Sequence, residues 1–250
     1  MKTFYFTATG NNLYIAKQIG GELYSIPKMI KSKNFHFSDE KIGLVFPVYA
    51  LSVPPIVEIF LQKTKLESDY IFAILSYGNI AGGAVSHLVN IGHRYSIEFS
   101  FIDTILMVDN YLPIYYMEKQ ITDEPNKKID ENLECIISDI NRNKKYIQPV
   151  SGIDKLKTKI ISKVWSKIPT LSKKFSVEDN CNYCSTCVKV CPVNNVRLKG
   201  EKPKFLDYCI NCLACTHACP QNVIRLRNEK SKERFRNQHI ELKEIIESNE

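Results

Sequence analysis

Apolar residues come along the chain in short continuous runs, and each run is followed by a stretch whose apolar positions recur at helical spacing. Lys2–Phe6 (KTFYF) is the first run; it ends at Thr7-Ala8-Thr9-Gly10, after which Leu13, Ile15, Ala16, Ile19 and Leu23 share one helical face. Ile42–Phe46 (IGLVF) ends at Pro47 and precedes a helix over Pro55–Leu61, proline being tolerated in a first turn. Tyr70–Leu75 (YIFAIL) runs through Ser76-Tyr77-Gly78 into a helix over Ala81–Tyr95. Phe99–Val108 is a longer apolar segment, Asp123–Tyr146 a polar helix carrying Ile129, Leu133, Ile136, Ile137 and Ile140, and Phe35–Phe37 a further short strand. Apolar strands alternating with helices predict an α/β fold, a parallel sheet covered on both faces. Ligands of such sheets bind outside the carboxyl ends of the strands, near a topological switch point. The segments leaving those ends are 7–12, 47–54 and 76–83, and they carry Thr, Asn, Tyr and Gly.

The first of these segments, Thr7-Ala8-Thr9-Gly10-Asn11-Asn12, joins the first strand to the first helix. Hydroxyls, amides and backbone N–H groups at a helix N-terminus make a phosphate cradle without Lys or Arg. The same residues also serve as an ordinary helix N-cap, and both readings stay open. No G-x-G-x-x-G and no Walker lysine is present, which speaks against a dinucleotide or ATP site. The segment resembles the FMN-phosphate loop of the flavodoxin family: Thr7, Thr9 and Gly10 match, while Asn12 stands where that pattern has a hydroxyl. The resemblance covers roughly residues 1–147 and implies the doubly wound order 2-1-3-4-5 with FMN as cofactor. It places the phosphate on Thr7, Thr9, Gly10, Asn11 and Asn12. It places the flavin ring against the loops after the third and fourth strands, at Pro47, Tyr49 and Ala50 and at Ser76, Tyr77 and Gly78, although each tyrosine could equally pack on the rim of the sheet.

The chain has nine cysteines, an odd number that argues against a disulfide framework. Eight of them form two runs 28 residues apart, Cys181-x2-Cys184-x2-Cys187-x3-Cys191-Pro192 and Cys209-x2-Cys212-x2-Cys215-x3-Cys219-Pro220, an internal duplication. Structural zinc sites use paired C-x2-C hooks instead, and a radical-SAM site needs three cysteines with one wide gap. The run matches the [4Fe–4S] pattern of two-cluster bacterial ferredoxins, which the segment resembles. That resemblance implies two [4Fe–4S] clusters with an exchanged fourth ligand: Cys181, Cys184, Cys187 and Cys219 for one, Cys209, Cys212, Cys215 and Cys191 for the other. Val188, Val190, Val193, Val196, Ile210, Leu213, Val223 and Ile224 supply an apolar shell. The ninth, Cys135, reads as a small buried hydrophobe.

Charge refines this division. The net charge is +7, of which residues 151–176 hold seven Lys against one Asp, while residues 1–150 are near neutral at −1. In this basic connector Leu156, Ile160, Ile161, Val164 and Ile168 share a helical face, with Trp165 beside it. The preferred reading is a linker helix packed on its apolar face with solvated lysines. Docking of an acidic redox partner and binding to a membrane surface are the alternatives. Nucleic-acid binding lacks an accompanying motif. The expected domains are 1–150 flavodoxin-like, 151–176 linker, 177–227 a small α+β two-cluster ferredoxin-like domain, and 228–250 a charged tail, exposed or loosely docked. No apolar run reaches the roughly 18 residues that span a bilayer and no cleavable leader is visible, so the expected location is the cytoplasm.

The whole sequence resembles flavodoxin–ferredoxin fusions of anaerobic microbes. The resemblance implies an intracellular electron-transfer protein linking two clusters to FMN and serving redox partner proteins near the ferredoxin domain or the linker. No acid–base pair or nucleophile stands out. Two alternatives differ in class: a flavoenzyme reducing a quinone or nitro compound at FMN, and a flavin-free module that docks the ferredoxin half.

Overall fold

The structure is a computed structural model that describes residues 1–165, 170–200 and 202–250. Its elements run β1 (Lys2–Tyr5), α1 (Asn11–Ile19), β2 (Glu22–Ser25), α2 (Ile26–Ser32), β3 (His36–Ser38), β4 (Lys41–Pro47), α3 (Pro55–Lys63), β5 (Lys65–Glu67), β6 (Tyr70–Tyr77), α4 (Ala84–Tyr95), β7 (Phe101–Leu106), α5 (Met117–Thr122), α6 (Ile129–Asn141), β8 (Tyr146–Ile147), α7 (Gly152–Trp165), β9 (Phe175–Val177), α8 (Thr186–Lys189), β10 (Val196–Lys199), β11 (Lys202–Phe205), α9 (Ala214–His217), β12 (Ile224–Leu226) and α10 (Leu242–Asn249).

Two compact units emerge, and they cut across the linear order. The first takes Met1–Phe6, Asn12–Met107 and Pro125–Ile168; the second takes Thr7–Asn11, Val108–Glu124 and Pro169–Glu250. The linear boundaries at 150, 176 and 227 do not mark these units. The second unit adds to its cysteine segment two pieces from far upstream.

The first unit is built on a six-stranded sheet of order β2-β1-β4-β6-β7-β8, with every neighbouring pair parallel. In β4 the interior Ile42–Phe46 and in β6 the run Tyr70–Ser76 are buried residue after residue. Side chains alternate between faces along a strand, so uninterrupted burial means both faces are covered. The strand beside β1 is Glu22–Ser25, not the predicted Phe35–Phe37. The latter shifts to His36–Ser38 and pairs with β5 in a separate two-stranded sheet. Leu23 accordingly lies on β2 rather than on the first helix. The long polar helix contracts to α6, with a short 3-10 turn at Glu124–Lys127 before it. Cys135 lies on the outer side of α6 and is exposed, which corrects its reading as a core residue. Its helical neighbours Leu133, Ile136 and Ile140 hold the buried stripe instead.

The second unit repeats itself. The short helices α8 and α9 lie within the two cysteine runs and carry the third cysteine of each, β9 pairs with β12 and β10 with β11, both antiparallel. Left-handed backbone occurs at Tyr183, Ser185 and Asn194, and again 28 residues on at Asn211, Leu213 and Asn222. Its apolar core joins Leu171, Leu213, Leu226 and Phe235 to Val108, Leu112 and Met117. The tail is therefore docked, not loose: Phe235, Ile240 and Ile245 are all at most 4% exposed.

Candidate functional site

Each cysteine run wraps a tight turn. Left-handed residues follow the first and second cysteines of each run, Tyr183 and Ser185 in one, Asn211 and Leu213 in the other. These turns let three thiols separated by two residues converge. Two cavities result. One, about 330 Å³ of empty space with its opening to solvent counted, is lined by Cys181, Cys184, Cys187 and Cys219 with Asn182, Thr186, Pro220, Val223 and Ile224. The other, about 310 Å³, is lined by Cys191, Cys209, Cys212 and Cys215 with Phe175, Val196 and Phe205. The grouping follows the exchanged ligand sets: Cys219 joins the first run and Cys191 the second. Of the predicted shell, Val190, Val196, Leu213, Val223 and Ile224 are buried.

The electrostatics are those of thiols in apolar walls. Burial pushes the Cys187 thiol up to about 12, with Cys219 and Cys184 adding to it. Burial likewise raises Cys212 and Cys215, each reinforced by Cys209 and Cys191. Such thiols ionise only when a metal takes the proton's place. Donors already point at sulfur: Asn195 N–H to Cys191 Sγ at 3.1 Å and Asn211 N–H to Cys209 Sγ at 3.3 Å. Among the described residues no three His, Cys, Asp or Glu side chains gather closely enough to hold a single metal ion; the sulfurs stand around cavities instead. A thiolate-lined, apolar space with four corners fits a cubane cluster.

The 4Fe-4S binding domain family matches residues 176–197 and 203–225, one match for each cysteine run. This segment is a 4Fe–4S ferredoxin domain. No curated protein matches the chain. Among solved structures, the Trp repressor binding protein from Bacillus subtilis is similar at 11% identity and a TM-score of 0.31, over 42% of this chain and 82% of that one, too low to bear on fold or function.

The ferredoxin domain also buries a polar side chain whose environment no local pattern announces. His217, between Cys215 and Cys219, is buried: Phe235 N–H donates to its Nδ1 at 3.1 Å and its Nε2 lies 2.8 Å from the Asn110 carbonyl. This fixes the neutral tautomer with the proton on Nε2, and burial lowers its pKa to about 4. The partners are 107 and 18 residues away, so no local pattern announces them.

The loop Thr7–Asn11 belongs to the same unit. Thr7 Oγ1 accepts the Gly10 N–H at 3.1 Å, as an N-cap does. Thr9 Oγ1 accepts from Asn110 Nδ2 at 2.7 Å, and the Thr9 carbonyl accepts the Asn237 N–H at 2.9 Å. Asn11 donates to the Val108 carbonyl at 3.1 Å and accepts from Asn237 Nδ2 at 3.2 Å. Gly10 has φ +101°, and a Cβ there would stand 3.0 Å from Asn237 Cβ and 3.1 Å from Ile240 Cβ. The space over the loop is filled by residues 237–240, so as folded it does not fit a phosphate. Asn12, in the first unit, is buried, and its Oδ1 has no hydrogen-bond partner among the described residues.

The loops assigned to a flavin ring lie in the first unit. Val48 N–H donates to the Ser76 carbonyl, joining the ends of β4 and β6. Tyr49 and Ser52 exchange backbone bonds of 2.9 Å around Ala50 and Leu51, which hold φ of 47° and 62° without being glycine. Tyr49 meets Phe6 edge-on, the Tyr77 carbonyl accepts from Met107 N–H, and the Gly78 carbonyl accepts from Lys127 Nζ. Helix α7 closes over this region: Thr158 Oγ1 accepts the Gly83 N–H at 2.7 Å and donates to the Leu51 carbonyl at 3.2 Å.

Proposed function

We propose that the chain is an electron carrier holding two [4Fe–4S] clusters, one on Cys181, Cys184, Cys187 and Cys219 and one on Cys191, Cys209, Cys212 and Cys215. The observation that carries this reading is that two cavities of nearly equal size are each ringed by four cysteines drawn from both runs. Bound clusters supply one-electron exchange at low potential. The chain's part is to hold the sulfurs, to keep water away with Val190, Val196, Val223 and Ile224, and to aim N–H dipoles at Cys191 and Cys209, which eases added negative charge there. Redox proteins are the partners this reading implies, and the cytoplasm the compartment. Among the described residues no helix is long and apolar enough to cross a membrane.

For the N-terminal body we propose the flavin-free alternative, a flavodoxin-like docking module. The parallel sheet supports the flavodoxin-like part of this reading. The engagement of Thr9 and Asn11 by Asn110 and Asn237 supports the absence of flavin. FMN binding is the second reading, favoured by the unpaired Asn12 Oδ1, and a flavoenzyme follows only if it holds. An absorption spectrum of protein purified without oxygen tests both. The expected result is a broad iron–sulfur band with no resolved flavin bands and no flavin released on denaturation. Stoichiometric FMN in the extract would reverse the assignment.

A further inference from the structure

Helix α7 is turned inside out. A surface helix ordinarily buries its apolar stripe and leaves its polar face in water. Here Thr158 is 6% exposed, and Asp154 and Ser162, one turn to either side of it, are the other sheltered positions among the described side chains of the helix. Its hydroxyl is held by the Gly83 N–H and the Leu51 carbonyl, and Gly83 lies so close that a Cβ there would come within 2.8 Å of Thr158 Oγ1. The polar face is therefore the docked one.

The apolar side faces out: Ile153 is 68%, Leu156 60% and Ile160 56% exposed. At about 100° per residue these three lie within about 40° of the direction opposite Thr158. They make one aliphatic stripe pointing away from the body. Exposed lysines border it, Lys157 on one side and Lys159 and Lys163 on the other. The connector's excess of positive charge thus flanks an uncovered apolar stripe. The expectation of an apolar face packed on the protein does not hold for Leu156, Ile160 and Ile161, while Ile168 and the side chains of Val164 and Trp165 lie outside what the structure describes.

We propose that α7 is a surface-binding helix that seats this chain on an anionic lipid bilayer, with Ile153, Leu156 and Ile160 in the headgroup–acyl boundary and the lysines against lipid phosphates. Aliphatic stripe and flanking cations are the two attractions such helices combine. The composition favours lipid over an acidic protein. The helix has four lysines, no arginine and a single aromatic, Trp165, whereas protein interfaces are enriched in Arg and aromatics and depleted in Lys. Lysine stems reach from an apolar stripe to a charged surface, as the bilayer boundary requires. The inference does not depend on the cofactor content of either unit.

Flotation of the purified holoprotein with vesicles tests it. The protein is expected to float with phosphatidylcholine vesicles containing about 30% phosphatidylglycerol and to stay behind with phosphatidylcholine alone. Raising salt from about 0.1 M to about 0.5 M weakens the binding. The double variant Leu156→Ser, Ile160→Ser loses at least about tenfold in partitioning. Lys157→Gln with Lys159→Gln loses the preference for the anionic lipid. These positions are exposed, and unchanged iron content and circular dichroism verify that the variants fold. Absence of flotation with anionic vesicles overturns the proposal, as would occur if the stripe served an acidic protein; so does equal flotation of the Leu156→Ser, Ile160→Ser variant.

Discussion

The cysteine cavities and the loop Thr7–Asn11 lie in one unit, and both carry the residue types of a cofactor site, but they differ in what surrounds those residues. Around the cavities the cysteine sulfurs share the lining with apolar residues and a few polar ones, Asn182, Ser185, Thr186 and Asn195, and space is left between the sulfurs. At the loop the hydroxyls and amides already have partners, and Asn237 and Ile240 occupy the space a ligand would need. A motif states which groups are available. Only packing states whether they face a vacancy or another part of the chain. Thr and Asn can be satisfied by the chain's own amides at little cost, whereas two groups of four converging thiols have no partner in the protein as good as iron.

The largest effects belong to the cavities. Cys191→Ser should resemble Cys209→Ser, and Cys219→Ser should resemble Cys181→Ser, each pair losing the same half of the iron–sulfur signal. Electron paramagnetic resonance of the reduced variants reads this directly. If Cys191→Ser instead matched Cys181→Ser, the exchange of fourth ligands would be wrong.

Next in size is the loop. Asn237→Ala removes a donor to Asn11, and should cost about 1–3 kcal/mol in denaturant unfolding without the protein acquiring FMN. A variant of unchanged stability that acquired FMN would turn the comparison round, showing Asn237 to be a removable plug. Thr158→Val, which keeps the shape but leaves the Gly83 N–H without its acceptor, should cost a similar 1–3 kcal/mol, roughly, by the same measurement. An effect near zero would mean α7 is not held where its hydroxyl bonds place it.

The smallest effect is a pH dependence. His87 Nδ1 lies 2.6 Å from Ser52 Oγ and accepts the Val53 N–H at 3.3 Å, and burial lowers its pKa below the ordinary imidazole value of 6.5. A depressed folded-state pKa means that the neutral ring's contribution is complete above 6.5 and declines as pH falls through the folded value. The thermal midpoint should drop on acidification, and His87→Gln should flatten the part of that slope due to this residue.

How much was legible follows from how local each feature is. The eight cysteines proposed as ligands could be read because three of every four must sit within one turn, and the proline after the fourth repeats the mark. The parallel α/β body was legible because β4 and β6 are buried on both faces and hence apolar throughout. The strand Glu22–Ser25 was not, since ELYS is short, polar and half-buried at the end of the sheet. Nor were His217, Asn110 and Asn237, whose bonds join positions up to 226 residues apart. Periodicity found the apolar stripe of α7 but not its direction, which a single threonine decides.

The central claim is two clusters on eight cysteines, and the most direct measurement is iron and acid-labile sulfide per chain in protein purified without oxygen. The account predicts about eight of each per chain, falling to about four in Cys215→Ser. About four of each in the unaltered protein, or zinc in place of iron, would contradict it.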